Sequence, residues 1–150
     1  MPRSTIPPLS KTRFTSGLQC HLRLYLQSYE RKLASAPDAA LRARFAAGTR
    51  AGAIAQGLRP GGVLVDEPAF HHDQAVARTQ ELLTQVDVPA IYEAAFIEDD
   101  VRVRADILAR TTGDAWELIE VKSSTSQKTE HIADAAAGKL VLHGVPDARR

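Results

Sequence analysis

The chain has 150 residues, 44% hydrophobic and 25% charged, with 19 Lys and Arg against 18 Asp and Glu. That length suits one domain with its own core, and the apolar content argues against disorder. No apolar run approaches the roughly 20 residues of a membrane-spanning helix, and the first ten residues lack the hydrophobic block of a secretory signal. The lone Cys20 can form no internal disulfide, so the expectation is a cytoplasmic protein without a membrane partner.

The near-neutral balance hides an asymmetry. Residues 1–60 hold ten Lys and Arg against two acids, a net of +8, whereas residues 61–150 hold nine against sixteen, a net of −7. A basic first part beside an acidic second part points to a polyanion-facing surface next to a carboxylate-rich site.

In chain order, Pro2, Pro7 and Pro8 make residues 1–9 an extended, loose arm. Ser10 is an N-cap, and Phe14, Leu18, Leu22, Tyr25, Leu26, Tyr29 and Leu33 follow at three- and four-residue steps, predicting one helix with a single apolar face. Ser35-Ala36-Pro37 ends it. Asp38 caps a second helix running to Leu58, in which Gly48 and Gly52 imply a close packing contact or a break. After the turn Arg59-Pro60-Gly61-Gly62 and the short segment Val63-Leu64-Val65, a third helix spans Glu67 to Gln85 with Ala75, Thr79, Leu82 and Leu83 facing inward. The period then changes. Val88 to Ile97 is strand-like, Val101, Val103, Ala105 and Ile107 alternate with polar residues, and Thr111 to Asp114 turns the chain into a returning strand, Ala115 to Ser123. A closing helix, Thr129 to about Leu142, completes an α+β order of N-terminal helices, a three-stranded meander and a last helix. Residues 10–146 form the single domain and 147–150 a polar tail.

The meander carries the chemistry. Two-residue alternation places Asp106 on the face opposite Val103 and Ile107, puts Glu120 and Lys122 on one face, and brings Asp106 near Glu120 across the hairpin. Glu93 on the preceding strand supplies a third carboxylate, or alternatively pairs with Arg102 or Arg104. Such crowded carboxylates favour a hard divalent cation, Mg²⁺ or Mn²⁺ rather than Zn²⁺. Lys122 beside such an ion can position a water or offset phosphate charge, and the Val121 backbone carbonyl is a candidate further ligand. Lys11, Arg13 and Arg23 are candidate phosphate contacts. Cys20 is expected as a small apolar core residue, His71-His72 as a solvated helix start, and His131 and Asp134 as neighbours at the mouth of the closing helix.

Glu93-Ala94-Ala95-Phe96, Arg104-Ala105-Asp106-Ile107-Leu108 and Leu118-Ile119-Glu120-Val121-Lys122-Ser123-Ser124 together resemble the motifs of the PD-(D/E)XK nuclease superfamily, RecB-like branch. Leu9-Ser10-Lys11-Thr12-Arg13-Phe14 and the stretch from Leu18 to Leu26 are similar to the opening helix of CRISPR-associated RecB-like exonucleases. They are similar also to that of uncharacterised bacterial proteins with an N-terminal RecB-like domain. The resemblance covers residues 9 to about 142. It implies a restriction-endonuclease-like core, with Asp106 and Glu120 as metal ligands, Lys122 as the catalytic lysine and Glu93 as an acid that helps hold metal or water. It implies a Mg²⁺- or Mn²⁺-dependent deoxyribonuclease acting on single- or double-stranded DNA without reading its sequence. Of the four cysteines of cluster-bearing relatives only Cys20 is present, so no iron–sulfur cluster is expected. Relatives carry a Gln and an aromatic on the closing helix where Ala135 to Lys139 stand here, and they continue further. Two alternatives therefore stand beside the enzyme: a nucleic-acid-binding module retaining the fold without turnover, and a subunit completed by a homodimer or partner chain.

Overall fold

The structure is a computed structural model, and it describes residues 6–112 and 115–124. Where the sequence leads one to expect a long first helix, the chain makes two. Helix α1, Lys11–Gln19, starts at Ser10, whose hydroxyl accepts from the Arg13 N–H at 3.3 Å. Extended backbone at Cys20 then breaks the helix, its N–H closing α1 on the Ser16 carbonyl at 2.9 Å, and α2 runs over His21–Tyr29. The two helices pack closely at Gly17, where an added Cβ would stand 3.0 Å from the Leu24 side chain. Cys20 is exposed at this corner, not a core residue, because the extended break points it out of both helices. Helix α3, Ala39–Gly57, is capped by Asp38, which accepts from the Leu41 N–H at 2.7 Å. It runs through Gly48 and Gly52 without a break, and a Cβ at either would meet nothing within 4 Å.

The sheet is mixed. Strands β3, Ala90–Glu98, β4, Val101–Arg110, and β5, Trp116–Ile119, form the antiparallel meander. Two short strands that the periodicity did not indicate flank it: β1, Leu9–Ser10, pairs parallel with β4, and β2, Val63–Leu64, pairs parallel with β3. The arm thus ends in a strand, held by the Leu9 N–H on the Asp100 carbonyl at 3.0 Å. The β3–β4 turn is two residues long, and both, Asp99 and Asp100, take positive φ (46° and 61°), the arrangement whose twist matches a right-handed hairpin. Residues 113–114, the closing helix with His131 and Asp134, and the polar tail lie outside the described residues.

Helix α4, His72–Leu83, crosses between β2 and β3 and lays Ala75, Thr79, Leu82 and Leu83 on the sheet. Leu82, Ile91 and Leu108 are fully buried there, each contributing about 1.5–3 kcal/mol by leaving water. Thr79 ties helix to sheet, its hydroxyl donating to the Ala75 carbonyl and accepting from the Ala95 N–H, both at 2.9 Å. His72 is buried, not solvated: its Nε2 lies 2.9 Å from the Phe96 carbonyl, and burial pushes its pKa down. In contrast α2 and α3 bury no residue, and Leu18, Leu22, Tyr25, Tyr29 and Leu33 are each more than half exposed. Among the described residues no helix is long and apolar enough to cross a membrane.

Gly62 and Gly48 separate two roles for glycine. A Cβ at Gly62 would land inside the contact distance of the Tyr92 ring, whose hydroxyl donates to the Gln56 carbonyl at 3.0 Å and also reaches that of Arg59. Gly62→Ala is therefore expected to cost about 1–3 kcal/mol in urea denaturation. Gly48→Ala, in open space on a helix, should instead stabilise by up to about 1 kcal/mol.

Candidate functional site

The site is built where the sheet's own hydrogen bonding stops. Pairing of β3 with β4 runs through Tyr92↔Ile107 and resumes at Ala94↔Ala105, passing over the level at which Glu93 faces Asp106. Glu93 adopts φ 56°, a left-handed conformation that a strand residue adopts only at a cost. The alternation changes phase at the same level. Val103 and Ala105 pack in the larger cluster under α4, then Leu108 takes that side while Ile107 and Ala109 join Ala90 and Tyr92 in a smaller one. Val103 and Ile107 consequently do not share a face, and the expectation that Asp106 lies opposite both is corrected: the turned backbone at Glu93 shifts the pleat.

The last pair of β4 and β5 is Ile107↔Ile119, so Glu120 follows at the level of Asp106. The returning strand ends at Ile119, four residues short of its expected end at Ser123. The reason is chemical: the Val121 N–H donates to Asp106 Oδ2 at 2.7 Å, a side-chain acceptor in place of a ladder carbonyl. Glu120 and Lys122 thus lie beyond the strand, and they meet without its pleat, Lys122 Nζ standing 3.6 Å from Glu120 Oε2.

Strand β1 supplies the remaining group. It pairs with the same edge of β4 as β5 but from the other end, at Val101 and Arg102. Helix α1 begins immediately after it, which delivers the Lys11 ammonium to Glu120 Oε1 at 2.5 Å. Both side chains are largely withdrawn from solvent, 15% and 8% exposed, so the pair is a partly desolvated one in which loss of either partner is costly. Glu93, Asp106, Glu120, Lys122, Lys11 and Arg104 all line one cleft of about 590 Å³. Its opposite wall is α3, where Gly48, Thr49 and Gly52 present little bulk and leave the space open. Burial first, and then the charge of Asp106, push the Glu93 carboxyl up, while Arg104 and Lys11 oppose the shift.

The structure therefore brings Glu93, Asp106, Glu120 and Lys122 together with Val121, and adds two cations. Lys11, a candidate phosphate contact by sequence, lies in the carboxylate cleft, 109 residues from its partner in sequence, and no local pattern signals such a contact. Arg104, weighed as a partner for Glu93, lines the same cleft while its guanidinium reaches the carbonyls of Val65 and Glu67. Arg102 meets Asp73 at 3.4 Å. Of the other expected phosphate contacts, Arg13 is buried and donates to the Pro8 carbonyl at 2.7 Å, and Arg23 is exposed and bonded to Gln19 at 2.7 Å.

Among the described residues the cleft is lined by three carboxylates, two threonines and a glutamine and by no His, Cys or Met, an oxygen-rich set of the kind that suits a hard cation rather than a soft one. As the side chains stand, no three His, Cys, Asp or Glu among the described residues form a group able to hold a metal ion. Mg²⁺ commonly binds through only one or two carboxylates with water completing its shell. No protein-family model, no curated protein and no solved structure matches the chain.

The raised Glu93 carboxyl has a defined sign in stability. Its charged form is disfavoured in the fold, so the folded state is penalised once pH rises through the folded pKa, and the penalty is absent below the unfolded value. Glu93→Gln, which keeps shape and backbone preference, is expected to raise the thermal midpoint at pH 7. Its advantage over the parent should shrink as pH falls towards the ordinary carboxyl value of about 4.5 and be gone below it; an advantage independent of pH would rule out the carboxylate as its origin.

Proposed function

We propose that this chain is a metal-dependent nuclease with a restriction-endonuclease-like core, hydrolysing phosphodiester bonds of DNA at the cleft between the meander and α3. The single observation that carries the reading is the convergence at one broken rung: Glu93 facing Asp106, Glu120 following at the same level, and Lys122 3.6 Å from Glu120. The resemblance of these same residues to the RecB-like branch of the PD-(D/E)XK superfamily supports it independently of the geometry.

In this reading Asp106 and Glu120, with the Val121 carbonyl, hold Mg²⁺ or Mn²⁺, and Glu93 contributes to the charge that attracts it. The ion would supply Lewis-acid stabilisation of the phosphate and a water of lowered pKa. The chain's own residues do the rest. Asp106 anchors the segment after β5 through the Val121 N–H, which fixes the position of Glu120 and Lys122. Lys122, about a third exposed, is placed to orient an attacking water or to meet developing negative charge on phosphate. Lys11 neutralises Glu120 and holds α1 against the cleft.

The Lys11–Glu120 pair also favours a second reading, a nucleic-acid-binding module in which an ammonium stands permanently where a cation would otherwise act. Incubation with labelled DNA and Mg²⁺ or Mn²⁺ decides between them. Cutting that Asp106→Asn, Glu120→Gln and Lys122→Met each reduce at least about a hundredfold is the expected result, the scale of losing one electrostatic contact to the transition state. DNA that binds yet stays intact in both metals favours the module. Lys11→Met separates them further: as a nuclease, the variant should bind Mn²⁺ more tightly by calorimetry, since Glu120 no longer has its close ammonium.

A further inference from the structure

A second cleft, of about 890 Å³, also borders α1. Among the described residues its lining holds four arginines, Arg13, Arg31, Arg102 and Arg104, with Lys11 and no Asp or Glu. These charges are drawn from three separate stretches: Lys11 and Arg13 from α1, Arg31 from the turn after α2, and Arg102 and Arg104 from β4. They are not one basic helix face. Their neutralisation is incomplete. Arg102 meets the exposed Asp73 at 3.4 Å, which does not line the cleft, and the Nε atoms of Arg102 and Arg104 are buried without a hydrogen-bond partner. Burial, followed by the neighbouring charges of Arg31 and Arg102, lowers the Arg13 pKa, as expected where guanidinium groups crowd without counter-charge. Phe70 stands at the cleft, 81% exposed.

Lys11, Thr12 and Arg104 line both this cleft and the carboxylate cleft, so the two share a wall. We propose that the arginine cleft binds the phosphate backbone of a DNA strand and leads it to Asp106 and Glu120, with the exposed Phe70 ring offering a face on which a base stacks. Planar guanidinium forks suit phosphate oxygens, and an aromatic at the rim of a cationic groove suits an unpaired base of any identity. The proposal rests on the nuclease reading for the direction of the strand, but its binding chemistry stands on the arginine cleft alone.

The test is fluorescence anisotropy with a labelled single-stranded oligodeoxynucleotide in EDTA, where binding is read without cleavage. Arg31→Gln and Arg102→Gln are each expected to weaken binding about fivefold at 0.1 M salt and to reduce the salt slope by about 0.7, the effect of one lost contact to a single-stranded phosphate backbone. Phe70→Ala should weaken the oligonucleotide severalfold while leaving competition by tripolyphosphate unchanged. Arg44→Gln, exposed on α3 away from this cleft, serves as the control and should bind like the parent. Thermal midpoints confirm that each variant is folded. Parent-like binding by folded Arg31→Gln and Arg102→Gln overturns the proposal, as does an absence of oligonucleotide binding by the parent. Indifference of the oligonucleotide to Phe70→Ala, with tripolyphosphate competing as well as DNA, overturns the strand and leaves a site for free phosphate. If the parent never cuts DNA in Mg²⁺ or Mn²⁺ yet the arginine variants lose binding, the nuclease reading fails and the cleft stands.

Discussion

The Glu120 carboxylate, 8% exposed in its side chain, is the constraint from which the rest of this arrangement follows. A charge so withdrawn from water is tolerated only if something compensates it. Lys11 does so from the start of α1, and Lys122 stands behind it. To deliver Lys11, the chain spends a two-residue strand on the free edge of β4, and that strand in turn directs α1 across the mouth of the cleft. To deliver Glu120, β5 abandons its ladder at Ile119 and the Asp106 side chain takes the Val121 N–H. Two elements that look minor, a strand of two residues and a strand that ends early, are thus the means by which one buried charge is satisfied.

The same level of the sheet concentrates backbone strain and like charge. Glu93 carries both, with a left-handed φ and a carboxyl pushed up by burial and by Asp106. Neither feature helps the fold: a β-branched residue with ordinary φ there would extend the ladder and avoid the repulsion. Strained, mutually repelling groups that persist at one point are the expected signature of a site kept for chemistry, although ion-pair networks of purely structural origin also perturb carboxyl groups. Under the proposed function the open wall of α3 speaks for the former. A structural network gains from close packing, whereas Gly48 and Gly52 leave a solvent-sized space against it.

Much of the core was legible from periodicity. The inward residues of α4, Ala75, Thr79, Leu82 and Leu83, follow from helical spacing, and the two long strands from the change to a two-residue period. What periodicity could not show was interruption. Seven apolar residues from Phe14 to Leu33 keep helical spacing straight through Cys20, because a corner between two helices preserves the spacing on each side. An apolar stripe also says nothing of what covers it, and Leu22, Tyr25 and Tyr29 are exposed. The phase change at Asp106 escaped for a similar reason: Val103, Ala105 and Ile107 keep their two-residue spacing while the backbone at Glu93 turns the pleat beneath them. Asp106, Glu120 and Lys122 were legible because a hairpin's register is nearly local. Lys11 was not, because its contact is 109 residues away in sequence.

Charge balance connects the two clefts. Among the described residues the carboxylate cleft is lined by three acids, Glu93, Asp106 and Glu120, and three bases, Lys11, Arg104 and Lys122, so it is close to neutral as it stands. Entry of a divalent cation would leave an excess of two positive charges, which a passing phosphodiester relieves. Lys11 and Arg104 belong to the arginine cleft as well, so positive charge is continuous from one to the other while the carboxylates lie only at one end. A polyanion approaching the bare protein would meet attraction along the arginines and almost no net charge at the carboxylates. It would thus be held beside the site until a cation makes that end positive as well. Under the proposed function this orders the two events: the backbone can dock first on the arginines, and the bond to be broken settles against Asp106 and Glu120 only with the ion present.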